Sequence, residues 1–436
     1  MKKIIGLIII VLTALIFIEY GSGKHAQIPV AKESTRNLEQ NIARGKAVAI
    51  EADCLACHTV EHGGDYAGGL HFATPFGDLY STNITQDKQS GIGNYNREDF
   101  YHAVKYGYSK NIGNLYPAMP YTSYRKLSDD DMDALWAYMQ TIKAIPTPNV
   151  PNQLMFPTNI RFTLGTWNQF FFDDTNFQPV ANKSEQWNEG KYLVEAAGHC
   201  GECHSPRNLG FAIKSEKILQ GAIVEGWNAV PITAEGLTKN GWTLHSLTQF
   251  FETGNSPQGT TFGGMLLVIR ESLSHLTHEQ RLAMSIYLLD LEPTELNITS
   301  KSKRVHLSKK QKSQPGYSTY ATYCAGCHGV SGLGKPNAVI QLSENTIFTE
   351  DSPFNAIAVV LRGLPKQQDN LLEGSVAMTS FTETIEDQEL ANLVNFAKTT
   401  WGNKTNSNIT AADVKQVRQQ LAKEGYLNHM GDKVGH

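Results

Sequence analysis

The stretch that decides the fold is CLACH, Cys54–His58, which returns as CGECH, Cys200–His204, and again as CAGCH, Cys324–His328. All six cysteines of the 436-residue chain lie in these three copies. In a CxxCH motif two thioether bonds join cysteine sulfurs to a c-type haem, and the adjacent histidine reaches the iron. The two intervening residues set the sulfurs at the separation the porphyrin edge requires. A four-ligand zinc site would need two CxxC pairs close together, and here the pairs are more than a hundred residues apart. A thioredoxin-like CxxC opens a helix after a buried strand, and no strand pattern precedes any copy. The motifs therefore predict three covalently attached haems c, with Cys54, Cys57, Cys200, Cys203, Cys324 and Cys327 as attachment points. His58, His204 and His328 are the expected proximal iron ligands.

Outward from each motif the sequence repeats. Gly45, Gly190 and Gly316 lie nine, ten and eight residues before the first cysteine, each in a helix-compatible segment. Each copy closes in an amphipathic helix, with Ser128, Thr277 and Thr384 as expected N-caps and Asp131, Gln280 and Asp387 three residues on. Tyr138, Tyr287 and Phe396 hold comparable places in those helices. A glycine facing an aromatic across two helices permits a close crossing beside a cofactor. The predicted fold class is thus mainly α, with three tandem cytochrome c-like helical domains, each around one haem.

A methionine thioether is a soft iron ligand that favours Fe(II). Met132, Met139 and Met284 fall on helical apolar faces and read as core; Met155 lies in a proline-rich connection and Met430 in a polar tail. Met119, Met265 and Met378 remain, one per repeat, each expected in a loop before the last helix. Met119 lies 61 residues after His58, Met265 61 after His204, and Met378 50 after His328. This regularity marks the three as distal iron ligands. His71, His102, His245, His275, His278 and His306 do not recur at matched positions and read as surface or core residues.

Hydrophobic residues at 41% and charged residues at 18% describe a globular chain. A net charge of −4 gives no reason to expect a polycationic nucleic-acid binder. Two lysines, an apolar run Ile4–Ile18 and the small residues Gly21–Gly23 have the shape of a secretory signal. No clean cleavage site follows, so residues 1–23 read as signal peptide or N-terminal anchor, and the rest as periplasmic. Expected boundaries are 36–148 for the first domain, 149–182 for a linker, 183–295 for the second domain, 296–311 for a basic linker, 312–403 for the third domain, and 404–436 for a polar tail. Within that tail Val414, Val417 and Leu421 form a narrow stripe suited to a docking helix. The aromatic run Phe170–Phe172 is expected to pack between domains.

The first domain's TPFGDLYSTNITQDKQSGIGNYNREDFYHAVKYGY, with LYPAMPYTSYRKLSDDDMDALWAYM and FPTNIRFTLGTWNQFFF, resembles the three-haem cytochrome c subunit of membrane-bound alcohol and gluconate (sugar-acid) dehydrogenases. The likeness extends to CHSPRN and FGGM in the second domain and thins in the third. It implies the haem attachments named above, with Met119, Met265 and Met378 as distal ligands. It also implies a partner: a large flavin- or quinoprotein-type dehydrogenase subunit, with an optional small subunit, that oxidises the substrate. Electrons would then cross this chain to ubiquinone or another membrane acceptor, and the chain itself would have no substrate-oxidising site. STNIT (Ser81–Thr85) leaves only VPIT (Val230–Thr233) in the second domain. Two other functions fit three CxxCH motifs: a peroxidase-like dihaem or trihaem enzyme with a weakly ligated third site, and a stand-alone periplasmic electron shuttle.

Overall fold

Asn37 and Gln40 exchange side-chain-to-backbone hydrogen bonds at 2.9 and 3.2 Å, a reciprocal cap that starts helix α1 (Leu38–Glu51). This computed structural model describes residues 35–291, 306–335, 338–364, 376–402 and 406–427. The signal or anchor at 1–23, and residues 296–305 of the basic linker, lie outside them. After α1 come α2 (Cys54–His58), β1 (His71–Thr74), β2 (Gly77–Tyr80), α3 (Arg97–Tyr106), α4 (Asp129–Met139), β3 (Gln153–Leu154) and α5 (Thr163–Phe171). The second set is α6 (Glu185–Tyr192), α7 (Gly201–His204), β4 (Ala222–Val224), β5 (Trp227–Ala229), α8 (Leu244–Thr253), α9 (Gly264–Glu271) and α10 (His278–Leu289). The third is α11 (Pro315–Tyr323), α12 (Ala325–His328), α13 (Phe354–Arg362), α14 (Asp387–Thr400) and α15 (Ala411–Lys423).

The three repeats share one helix crossing: α1 on α4, α6 on α10, and α11 on α14. Its cause is a missing side chain. A methyl group on Gly45 would lie 1.9 Å from Ala134 O, one on Gly190 2.0 Å from Ala283 O, and one on Gly316 2.0 Å from Asn392 O. Tyr138 and Tyr287 flank the first two crossings, as their positions predicted. In the third, Phe396 turns onto Tyr317 and Tyr320, with ring centroids 5.8 and 5.6 Å away. Buried apolar side chains form three clusters among the described residues, one around each crossing. Met132, Met139 and Met284 are buried within them, while Met155 is exposed. No helix among the described residues is long and apolar enough to cross a membrane.

Unequal glycine-to-cysteine spacings are absorbed locally. In the second repeat, the extra residue enters as a π-helical turn, Leu193–Ala197, followed by His199 at φ 40°. In the first, Asp53 alone turns into the left-handed region, at φ 55°.

Several expectations are corrected. Ser128 and Thr277 cap their helices as expected. Helix α14, however, starts after Glu386 and not Thr384. Ile385, 2% exposed, is drawn into the core and delays the helix; Glu389 then bonds back to Glu386 N at 3.4 Å. Residues 149–182, read as an inter-domain linker, run as a strap against the first repeat. Its strand β3 completes the antiparallel order β1-β2-β3, with Asp78 opposite Gln153. Asn149 and Asn152 accept hydrogen bonds from Asn83 N and Tyr80 N at 2.6 and 2.9 Å. Farther along the strap Phe172 packs on Tyr106 and Tyr121, Trp167 donates to Gly210 O at 2.7 Å, and Phe170 stays exposed. The docking helix expected in the tail is present: α15 buries Val414, Val417 and Leu421 against α13 and α14.

Candidate functional site

Each motif histidine is fixed by the same contact. The Nδ1–H of His58 donates to Thr82 O at 2.6 Å, that of His204 to Val230 O at 2.7 Å, and that of His328 to Ile340 O at 3.1 Å. With Nδ1 engaged in this way, Nε2 carries the free lone pair, the tautomer an iron ligand needs. Burial lowers the pKa of all three imidazoles and keeps them neutral. Thr82 and Val230 are the matched positions of STNIT and VPIT. The acceptor is a backbone carbonyl, so the side chain there is free to vary.

All six thiols are free. Burial pushes Cys54, Cys200 and Cys203 up to about 12 and Cys324 to about 11. Thiolate metal ligands sit in surroundings that lower the thiol pKa, and these do the reverse. Among the described residues no cluster of three or more His, Cys, Asp or Glu side chains could hold a metal ion.

Two cavities contain expected ligands. The first, about 1470 Å³, is walled by Cys54, Cys57, His58 and Met119 with apolar neighbours such as Phe100 and Leu135. The second, about 740 Å³, is walled by Cys324, His328 and Met378, and the second repeat contributes Thr260 and Phe262. The short His328–Met378 interval, which favoured a weakly ligated third site, still leaves Met378 lining the same cavity as His328. A backbone bridge between Leu364 and Met378 holds it there. Around the second motif, Met265 and Cys200 pack on one apolar cluster. Met265 lies in the first turn of α9 and not in a loop, because Gly263 adopts φ 61° under the Trp227 indole and lets the helix begin early. None of His71, His102, His245, His275, His278 and His306 walls either cavity.

The first and second motifs meet through a pseudo-symmetric exchange. Helix α2 touches α9, the Met265 helix; the turn after Met119, Tyr121–Tyr124, touches the π turn before Cys200. Cys203 lies near enough to Cys57 to disfavour its ionisation. Tyr192 Oη donates to Asp131 Oδ2 at 2.7 Å, and Ser272 Oγ to Ile50 O at 2.6 Å. On the other side, Trp227 of the second repeat is buried in the third repeat's core, its ring 4.7 Å from Phe262.

The parts fit a c-type haem: paired neutral thiols, an oriented imidazole and an apolar cavity, with a thioether on the wall of two. The carbonyl acceptors and the strap residue Arg161, which also walls the first cavity, escaped the sequence reading. The STNIT–VPIT likeness was the one signal pointing toward the carbonyls.

Residues 42–143 match the cytochrome c family model, and residues 311–396 the model of cytochrome c oxidase, cbb3-type, subunit III. The gluconate 2-dehydrogenase cytochrome c subunit of Pantoea cypripedii is 36% identical over 414 residues, covering 90% of this chain and 93% of that one. The cytochrome c subunit of the quinone alcohol dehydrogenase of Gluconobacter oxydans is 34% identical over 423 residues, covering 91% and 88%. The fructose dehydrogenase cytochrome subunit of Gluconobacter japonicus is 33% identical over 409 residues, covering 87% and 82%.

Proposed function

The chain belongs to the family of cytochrome c subunits of gluconate, alcohol and fructose dehydrogenases, and from that premise we propose that it relays electrons from a substrate-oxidising partner subunit to ubiquinone or another respiratory acceptor. Three haems c are held in three domains, 36–148, 183–295 and 312–403, on the periplasmic side of the cytoplasmic membrane. When bound, each supplies one-electron Fe(III)/Fe(II) chemistry. The protein supplies attachment, ligation and burial. Cys54 and Cys57, Cys200 and Cys203, and Cys324 and Cys327 anchor the groups. His58, His204 and His328 ligate from one side, and Met119, Met265 and Met378 from the other. The observation that carries this reading is the thrice-repeated bond from histidine Nδ1 to a backbone carbonyl, next to a pair of free cysteines. Contacts between the first and second motifs, and the second repeat's share in the wall of the third motif's cavity, support a reading in which the three sites are successive neighbours.

The test is purification of the chain with its partner subunit, followed by anaerobic addition of gluconate, ethanol or fructose. One of them is expected to reduce the haems, and a ubiquinone analogue to reoxidise them. A complex whose haems stay oxidised with every such substrate would refute the relay.

Met119→Ala removes a soft ligand that favours Fe(II), so the first site's midpoint potential is expected to fall while haem content is unchanged. Spectroelectrochemical titration checks this. An unmoved potential would remove Met119 from the ligand set.

A further inference from the structure

Arg161 reaches the first cavity from the strap, beyond the residues that match the cytochrome c model. Its Nη1 donates to Asn114 O at 2.9 Å, and its guanidinium lies 4.6 Å from the centre of the Tyr116 ring. Tyr116 Oη in turn donates to Thr158 O at 2.9 Å, three residues upstream of Arg161. The arginine is therefore held in place, with much of its fork still open.

It has no carboxylate partner among the described residues. Arg44, Arg97, Arg125, Arg207, Arg281 and Arg418 each have one. Asp53 also walls the cavity, but it makes no ion pair with Arg161, and burial pushes its carboxyl well above the usual carboxylate range. Burial likewise works against the Arg161 charge. An arginine does not escape that cost by losing its proton, and its planar fork matches a carboxylate. A half-buried guanidinium without a carboxylate partner among the described residues, on the wall of a cavity that also presents Cys54, Cys57 and His58, is placed to meet an anion inside the cavity.

We infer that Arg161 pairs with a propionate carboxylate of the haem in the first site, so that the strap closes over the cofactor and sets its potential. This rests on the haem reading above. Arg161 is a positioning residue and takes no part in electron transfer itself. Its charge offsets that of the propionate. Without it, the uncompensated negative charge favours Fe(III).

The experiment uses the full chain in complex with its partner, as Arg161→Gln and Arg161→Lys. The first site is identified as the one lost when Cys54 and Cys57 are both replaced by alanine. At the wild-type midpoint, Arg161→Gln is expected to lower the ferrous-to-ferric ratio of that site about tenfold, equivalent to about 59 mV for one electron. Arg161→Lys, which keeps the charge, is expected to restore most of the ratio. Its resonance Raman propionate band should still shift, because the bidentate fork is gone. An unmoved midpoint in haem-loaded Arg161→Gln, or an unmoved propionate band in Arg161→Lys, would overturn the assignment. Absence of covalent haem from the wild-type chain would instead overturn the functional reading on which it rests.

Discussion

Replacing Cys200 and Cys203 together by alanine is expected to lower covalently bound haem from three to two per chain and to reduce substrate-driven acceptor reduction to background. Haem content is read as pyridine-haemochrome absorbance after denaturation, when only thioether-bonded haem stays with the polypeptide. The second motif is the one whose loss interrupts both neighbours. Its Met265 helix, α9, touches helix α2 of the first motif. The carbonyl that orients its histidine belongs to Val230, just past β5, and Trp227 of that strand packs on Phe262 at the wall of the third motif's cavity. Replacing Cys200 alone leaves one thioether and should retain the haem in part. A double variant that still carries three haems would show that the second motif attaches none, and a double variant that relays at the wild-type rate would show that electrons bypass it.

How much of this was legible in the sequence differs by feature. The three CxxCH motifs were legible because the chemistry they suit needs side chains of fixed type at fixed spacing. The helix crossings were legible because glycine is the one residue that leaves room for the backbone of the facing helix. Met265 was expected in a loop before the last helix; in the structure Gly263 serves as the turn that launches α9. The third repeat's last helix was started too early because Thr384 is a good capping type, while burial of Ile385 decides where the helix begins. The carbonyls that orient the three histidines are backbone atoms, and they leave no mark that depends on residue type. Arg161 escaped notice because its meaning lies in an absent partner, which becomes visible only once the surroundings of its side chain are known.

Gly45→Ala is expected to destabilise the first repeat, although the same change in an open helix would stabilise it. Alanine gains about 1 kcal/mol over glycine in helix propensity. Against that gain stands a contact no side chain tolerates: the new methyl would lie 1.9 Å from Ala134 O and 2.7 Å from the Tyr138 Cβ. The obstacle is backbone of α4, which cannot swing aside as a flexible side chain would. Helices α1 and α4 must therefore separate, and the cluster between them, in which Val48, Met132 and Leu135 are buried, loses contact. Overpacking of this kind costs about 1–3 kcal/mol and occasionally more. Each 1 kcal/mol shifts the melting temperature by about 4–8 °C in a domain of this size class. With backbone as the obstacle the cost falls toward the upper end of that range and exceeds the propensity gain, and the net expectation is a fall of up to about 15 °C in the repeat's melting transition by calorimetry. Gly45→Val, with a branched side chain, should fall further and lose first-site haem. Should Gly45→Ala melt at or above the wild-type temperature, the crossing would not depend on glycine, and the account of why all three repeats place one there would fail.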